Sequence, residues 1–179
     1  MQITNTTHKY GWMAQVLHWS MALLIIFLLA LGLYMVPLPL NALKLKLYGW
    51  HKEWGIVVLM LVVFRLLWRL STFQPPYPSH MPTWQKWAAS SVHFAFYLLM
   101  IAMPLSGWLL SSASGLPVSF FGWFVLPDLI SGNEQSRYLL TEVHKWLGYA
   151  FIAAICGHVG AALQHHFIDK DDILRRMLP

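Results

Sequence analysis

The last long apolar stretch of the chain reads HKWLGYAFIAAICGH from His144 to His158. If it forms one α-helix, the two histidines lie within roughly 40° of the same face and about 21 Å apart along the axis. That separation places one imidazole near each side of a membrane. Two histidines on one face of a spanning helix, with further histidines on other helices at matching depths, indicate a ligand-binding role rather than ordinary packing.

The composition of the chain is that of a membrane protein. Hydrophobic residues make up 58% and charged residues 11%, against usual shares of roughly 45–50% and about 25%. The ten Trp, ten Phe and seven Tyr suit bilayer interfaces. No basic stripe is interleaved with exposed aromatics, so the net charge of +5 does not predict a nucleic-acid partner. The single cysteine, Cys156, excludes an internal disulfide and a Cys-x-x-Cys-His haem attachment.

Four hydrophobic segments predict an all-α, integral membrane four-helix bundle in a single domain spanning residues 1–179. We expect helices at about 11–36, 48–70, 87–111 and 141–168. The first segment is too long for a signal peptide and lacks small residues at its end, so we expect a retained helix. Pro37 and Pro39 end it, four prolines between residues 71 and 83 predict an irregular loop, and Pro104 predicts a local kink in the third helix.

Four spans place both termini on one side of the membrane. Seven Lys and Arg residues then lie on the side of the termini and five on the other, which favours cytoplasmic termini for this multi-pass protein. The first set is Lys9, Arg65, Arg69, Lys86, Lys170, Arg175 and Arg176, and the second is Lys44, Lys46, Lys52, Arg137 and Lys145.

The direction of each helix sorts the histidines by depth. His18 and His158 fall in the inner half of the membrane, and His51 and His144 fall in the outer half. Two pairs result, and each draws one histidine from the fourth helix. This arrangement explains why the two histidines of that helix share a face.

Two pairs of imidazoles fit haem better than zinc. Zinc takes four protein ligands, or three and a water, whereas haem needs only two axial groups. Two non-covalently bound haems are therefore predicted, with no open iron site and an electron-carrying role. Arg65, Arg69 and Lys52 are candidates to meet the anionic propionates. The alternative, that Arg65 and Arg69 extend to the membrane interface, is equally favoured.

Several motifs resemble the bacterial cytochrome b561 family, whose members are four-helix, di-haem b membrane proteins related to the cytochrome b subunits of some hydrogenases and formate dehydrogenases. The resemblance covers nearly the whole chain and implies that His18, His51, His144 and His158 are axial ligands. It also implies electron exchange with the membrane quinone pool. The motifs are His18-Trp19, His51 with Arg65-x-x-x-Arg69, His93-x-x-x-Tyr97 with Pro104-Leu105-Ser106-Gly107, His144 with His158, and His165-His166-Phe167-Ile168-Asp169-Lys170-Asp171-Asp172.

The remaining histidines have separate interpretations. His93 lies at a depth similar to that of His18, so it is the chief rival for the inner axial position and otherwise a propionate or quinone partner. His165 lies about 10 Å beyond His158 and within about 20° of its face. It is a candidate partner of a propionate or a quinone head group, against a plain interfacial histidine. His8, His80 and His166 are expected to be solvated.

The sequence thus predicts a membrane di-haem b cytochrome that transfers electrons between a donor at the outer face and quinone. Lys44, Lys46 and Lys52 are placed to steer a small anionic donor such as superoxide. One alternative is a membrane anchor and electron conduit for a partner protein, which would dock on the aromatic segment 120–124. A third hypothesis is metal or proton transport through a histidine relay.

Overall fold

A computed structural model describes residues 2–79 and 81–178. Its four long helices are α1 (Trp12–Met35), α2 (Ala42–Ser71), α3 (Thr83–Ala113) and α4 (Glu134–Gln164). Within the described residues these are the helices long and apolar enough to cross a membrane. The predicted all-α membrane bundle is therefore confirmed. Consecutive helices pack against one another, α1 on α2, α2 on α3 and α3 on α4.

Three helices begin earlier than the hydropathy pattern predicted, and asparagine caps start two of them in polar sequence. The Asn41 side chain accepts a hydrogen bond from the Lys44 amide at 2.9 Å, and α2 begins at Ala42 rather than near 48. Asn133 and Ser136 form a reciprocal capping box, and α4 begins at Glu134 rather than near 141. At 1.5 Å per residue, α4 is about 46 Å long, so it extends well beyond a hydrocarbon core of about 30 Å.

The core lies between the helices, midway along their length. Met21 and Val62 are fully buried, and Leu28, Met100 and Phe151 pack with them in one cluster. The outward faces of the same helices carry large exposed apolar side chains, among them Leu23, Leu67 and Leu98. In water such a surface would be costly, but it suits contact with lipid chains.

One end of the bundle is closed by a β-hairpin and is called the hairpin end. It comprises residues 36–41 and 114–133. The strands β1 (Ser119–Phe120) and β2 (Phe124–Val125) pair antiparallel, and the turn between them contains Phe121 and Gly122 with φ of 51° and 75°. The Phe121 ring packs edge-on against Trp54 of α2, with centroids 5.5 Å apart. These contacts hold the aromatic segment against the bundle.

The opposite end carries both termini and is called the terminal end. It comprises residues 2–11, 72–79, 81–82 and 165–178. After α4 a π-helical segment (His165–Asp169) and a left-handed Lys170 turn the chain into the short helix α5 (Ile173–Met177). The buried amide of Gln15 donates to the carbonyls of Arg176 and Leu178 at 3.3 and 2.8 Å. The C-terminal residues are thereby fastened across the start of α1.

Candidate functional site

The structure brings His51 and His144 together at the hairpin end. The centroids of their rings are 6.1 Å apart. Two glycines let the neighbouring helices reach these rings: a Cβ on Gly32 of α1 would lie 3.4 Å from His51 Cε1, and a Cβ on Gly107 of α3 would lie 3.0 Å from His144 Cε1. Backbone of α1 therefore lies close to the His51 ring, and backbone of α3 lies close to the His144 ring.

Ser106 of α3 holds the His144 ring in place. Its buried Oγ lies 2.8 Å from His144 Nδ1 and donates to the Met103 carbonyl at 2.7 Å. The Nδ1 atom of His51, in contrast, is buried with no partner among the described residues.

Three histidines meet at the terminal end. The His158 ring centre lies 6.2 Å from that of His18 and 5.9 Å from that of His93, and Phe96 packs against it as well. The separation of the rings therefore admits either His18 or His93 as the partner of His158. The buried Nδ1 of His93 has no partner among the described residues.

Arg65 distinguishes His18 from His93. Its Nη2 lies 3.0 Å from His18 Nδ1. Arginine has only hydrogen-bond donors, so His18 Nδ1 must accept this bond. In a neutral ring the hydrogen then sits on Nε2. A metal bound through Nε2 needs the opposite tautomer, so binding there requires Arg65 to leave Nδ1.

A polar cleft adjoins this cluster at the terminal end. Arg65, Arg69, Tyr10 and Gln74 line it, and Met177 of the C-terminal segment covers part of it. Burial raises the pKa of the Tyr10 phenol, and the nearby Arg69 opposes this increase. The phenol therefore stays protonated at neutral pH. Two guanidinium groups and a phenol together suit anionic oxygen atoms.

Lys52 is tied to the loop that follows α3. Its amine donates to the carbonyls of Pro117 and Leu116 at 2.9 and 3.3 Å and to Ser111 Oγ at 3.3 Å. Lysine has three donors, so these contacts use its hydrogen-bonding capacity. A propionate would have to replace one of them.

His165 has acidic partners that the sequence reasoning overlooked. Its Nδ1 lies 2.7 Å from an Asp171 carboxylate oxygen and 3.2 Å from one of Asp169, and the Asp171 side chain is only 4% exposed. The Ile173 amide donates to the other oxygen of Asp171 at 3.0 Å. Only Nε2 of His165 is left to meet another group.

Of the three histidines expected to be solvated, His8 is exposed. His166 is half-buried, and its Nδ1 is shielded from solvent without a partner among the described residues. His80 lies outside the described residues.

Both clusters fit a metal held between two imidazoles. A metal about 2 Å from each of two opposed ring nitrogens puts the ring centres roughly 6 Å apart, and the observed separations are 6.1 and 6.2 Å. Apolar rings lie beside the terminal-end cluster, where Phe96 packs against His158 and Phe151 packs against Phe96. Such a donor set, inside a helical bundle in lipid, suits a haem with two axial histidines.

Sequence reasoning missed the residues that support the rings. Ser106 and Gly107 were quoted only as part of a motif, and Gly32 was not singled out. One signal was available for Gly32, because it lies fourteen residues after His18 on α1. It therefore returns to nearly the same helix face at the depth of the other cluster.

The fold and the two histidine clusters define a class of protein: a four-helix membrane bundle with paired histidines inside it, typical of membrane cytochromes. The family model described as "Prokaryotic cytochrome b561" matches residues 9–179, and the chain belongs to this family. It is accordingly a bacterial b-type cytochrome of membrane electron transfer that binds b-type haem.

Named relatives agree with this membership. The chain is similar to "Cytochrome b561 homolog 2" of Escherichia coli (strain K12), with 39% identity over 186 residues, 99% of this chain and 95% of that protein. It is 39% identical to "Cytochrome b561 homolog 1" of the same organism over 132 residues, covering 72% and 73% of the two chains. It is 31% identical to "Probable superoxide oxidase CybB" of Yersinia pestis over 129 residues, again 72% and 73%.

Proposed function

We propose that this chain is a single-domain, di-haem cytochrome of the bacterial inner membrane that passes electrons between a donor at the outer face and membrane quinone. The observation that carries the proposal is the pair of histidine clusters at opposite ends of one bundle, with ring centres 6.1 and 6.2 Å apart. The termini are assigned to the cytoplasm by the seven-to-five distribution of Lys and Arg. The hairpin end then faces outward.

Four histidines are assigned as axial ligands, His51 with His144 at the hairpin end and His18 with His158 at the terminal end. When bound, the two haems would supply one-electron redox chemistry. Arg65 and Arg69 would hold the propionates at the terminal end, because they line its cleft beside Tyr10. A buried arginine next to carboxylates is far less costly than a bare one.

The first test is haem stoichiometry in the purified protein. We expect two b-type haems in the wild type and one in the variants His51→Ala and His18→Ala. His8→Ala is the matched control, since this exposed histidine lies outside both clusters. A wild type without haem would contradict the proposal. Loss of a haem in His93→Ala but not in His18→Ala would assign the terminal-end ligand to His93.

We propose that quinone reacts at the terminal end, where His165 offers Nε2 to a quinone carbonyl while Asp171 holds Nδ1. His93, whose Nδ1 has no partner within residues 2–79 and 81–178, is the second candidate. Quinone takes up two electrons and two protons to become quinol. His165→Ala is expected to raise the KM for a water-soluble quinone and to leave the haem content at two. An unchanged KM would remove His165 from the site.

The proposed outer donor is superoxide, as the name of the Yersinia pestis relative suggests. Two superoxide ions each lose one electron and become O₂, and the quinone takes both electrons. The lysines at the hairpin end would attract the anion. Lys44 and Lys52 also hold backbone carbonyls, whereas Lys46 lies over the Trp50 ring with its amine 5.0 Å from the centroid.

Lys46 therefore gives the cleanest test of steering. We expect Lys46→Gln to slow haem reduction by superoxide at low ionic strength and the difference from wild type to shrink as salt is added, because salt screens exposed charges. Lys46→Arg keeps the charge, and Lys86→Gln removes a charge at the other end. A rate independent of salt and of Lys46 would rule out steering.

A second candidate function is that of a membrane anchor and electron conduit for a partner protein. The observation that favours it is the exposed hairpin, on which Trp123 is 82% accessible. Quinone reduction by the purified chain alone separates the two functions. Turnover with superoxide and quinone supports the first, whereas haems that are reduced only when a partner protein is added support the second.

A further inference from the structure

We infer that Ser106 is a positioning residue for the hairpin-end iron ligand, fixing the tautomer of His144 and lowering the reduction potential of that centre. This inference rests on the proposed assignment of His51 and His144 as ligands. Ser106 lies inside α3, is only 5% exposed, and precedes the glycine whose position a Cβ would fill against the His144 ring.

The tautomer follows from counting hydrogens. A serine hydroxyl has one hydrogen, and that of Ser106 is donated to the Met103 carbonyl at 2.7 Å. The 2.8 Å contact between Ser106 Oγ and His144 Nδ1 must then be a bond that the imidazole Nδ1–H donates. Nε2 then carries the free lone pair of the ring, and this tautomer can bind a metal through Nε2.

The same hydrogen bond affects the electronic properties of the ligand. An acceptor on Nδ1–H fixes the orientation of the ring and makes Nε2 a stronger donor, and the loss of such partners typically weakens metal binding about 10–100-fold. A stronger donor stabilises the ferric iron more than the ferrous iron. The hairpin-end centre therefore has a lower potential with the serine than without it.

The terminal end has the opposite arrangement. There the group within hydrogen-bonding distance of His18 Nδ1 is the guanidinium of Arg65, at 3.0 Å. Arginine has only donors, so it cannot accept a hydrogen bond from Nδ1–H when the ring binds a metal through Nε2. Among the described residues His18 therefore lacks the acceptor that Ser106 gives to His144, and the two centres are inequivalent.

Two replacements that are isosteric with each other test the role of the hydroxyl. Threonine keeps the hydroxyl, whereas valine has nearly the same volume as threonine and lacks it. We expect Ser106→Thr to retain the wild-type midpoint potential of the hairpin-end haem, and Ser106→Val to raise it and to speed haem loss about tenfold or more. Ser112→Ala, at another buried α3 serine that bonds the Trp108 carbonyl and the Leu129 amide, is the control and is expected to leave the potential unchanged.

The readouts are a spectroelectrochemical titration and the electron paramagnetic resonance of the ferric haems. The signal of the hairpin-end haem is identified as the one that is absent in His51→Ala. When Ser106→Val is added to His51→Ala, we expect no change in the potential of the remaining haem. Equal potentials in the threonine and valine variants would overturn the inference, as would a shift that persists without the hairpin-end haem. A wild type lacking haem would instead defeat the proposed function.

Discussion

The two ends of the bundle carry the same kind of histidine pair but prepare it differently. At the hairpin end, Ser106 holds His144 in the metal-binding tautomer and two glycines bring backbone against the rings. At the terminal end, a third histidine competes and Arg65 holds His18 in the other tautomer. The comparison shows that spacing along a helix brings ligands together, whereas their readiness to bind depends on neighbouring donors and acceptors.

The largest expected effect is the selective loss of one haem. His51→Ala and His144→Ala are expected to remove the same haem, and His158→Ala the other, because in the proposed assignment each pair shares one iron. The haem content per chain, together with the spectrum that remains, checks the pairing. Different residual spectra for His51→Ala and His144→Ala would show that these two histidines do not bind the same haem.

Arg65→Gln is expected to weaken haem retention at the terminal end on the order of 10–100-fold while sparing the hairpin end. The variant removes a cation from the cleft beside Tyr10. Haem dissociation followed with a haem-scavenging protein measures the effect, and Arg175→Gln near the C-terminus is the control. Tighter haem binding in Arg65→Gln would show that Arg65 competes with the haem.

Gly107→Ala is expected to weaken haem retention at the hairpin end about tenfold. The new Cβ would lie 3.0 Å from His144 Cε1, so the ring must shift. Gly160→Ala on α4 is the control, because a Cβ there meets nothing within 4 Å. An equal haem content in the two variants would show that the ring has room to move.

Gln15→Ala is expected to destabilise the protein by about 1–3 kcal/mol, because two carbonyls of the C-terminal segment lose their buried donor. Thermal unfolding in detergent measures the loss, with the exposed Gln164→Ala as control. An unchanged melting temperature in Gln15→Ala would show that other contacts hold the C-terminal segment in place.

The smallest expected effect is at the start of α4. Asn133→Ala removes the capping box and is expected to cost about 1 kcal/mol, whereas Asn133→Ser keeps a capping oxygen. Thermal unfolding of the two variants provides the measurement. Equal melting temperatures would show that the first turns of α4 contribute little to the hairpin end.

The four spans were predictable because lipid requires long uncharged segments with internally satisfied backbone. The polar beginnings of α2 and α4 were not, since hydropathy detects only the part of a helix that suits lipid. The hairpin at residues 119–125 was predicted only as an aromatic segment, because two-residue strands have too few residues to show an alternating pattern.

For the candidate sites, the sequence predicted which histidines lie at the same depth along the bundle. Helix direction and a spacing of fourteen place His51 beside His144, and His18 and His93 beside His158. They do not distinguish His18 from His93, since both lie at a similar depth on different helices. That distinction depends on Arg65, whose contact with His18 joins residues 47 positions apart.

The sequence by itself determined the class of fold, the number of spans and the depths of the histidines, because all three follow from hydrophobic length and helical periodicity. Only the tertiary structure decided the state of each ring. Ser106 reaches His144 and Arg65 reaches His18 across helix interfaces. The position of a hydrogen on an imidazole depends on what lies within about 3 Å of it, and helical periodicity does not encode that distance.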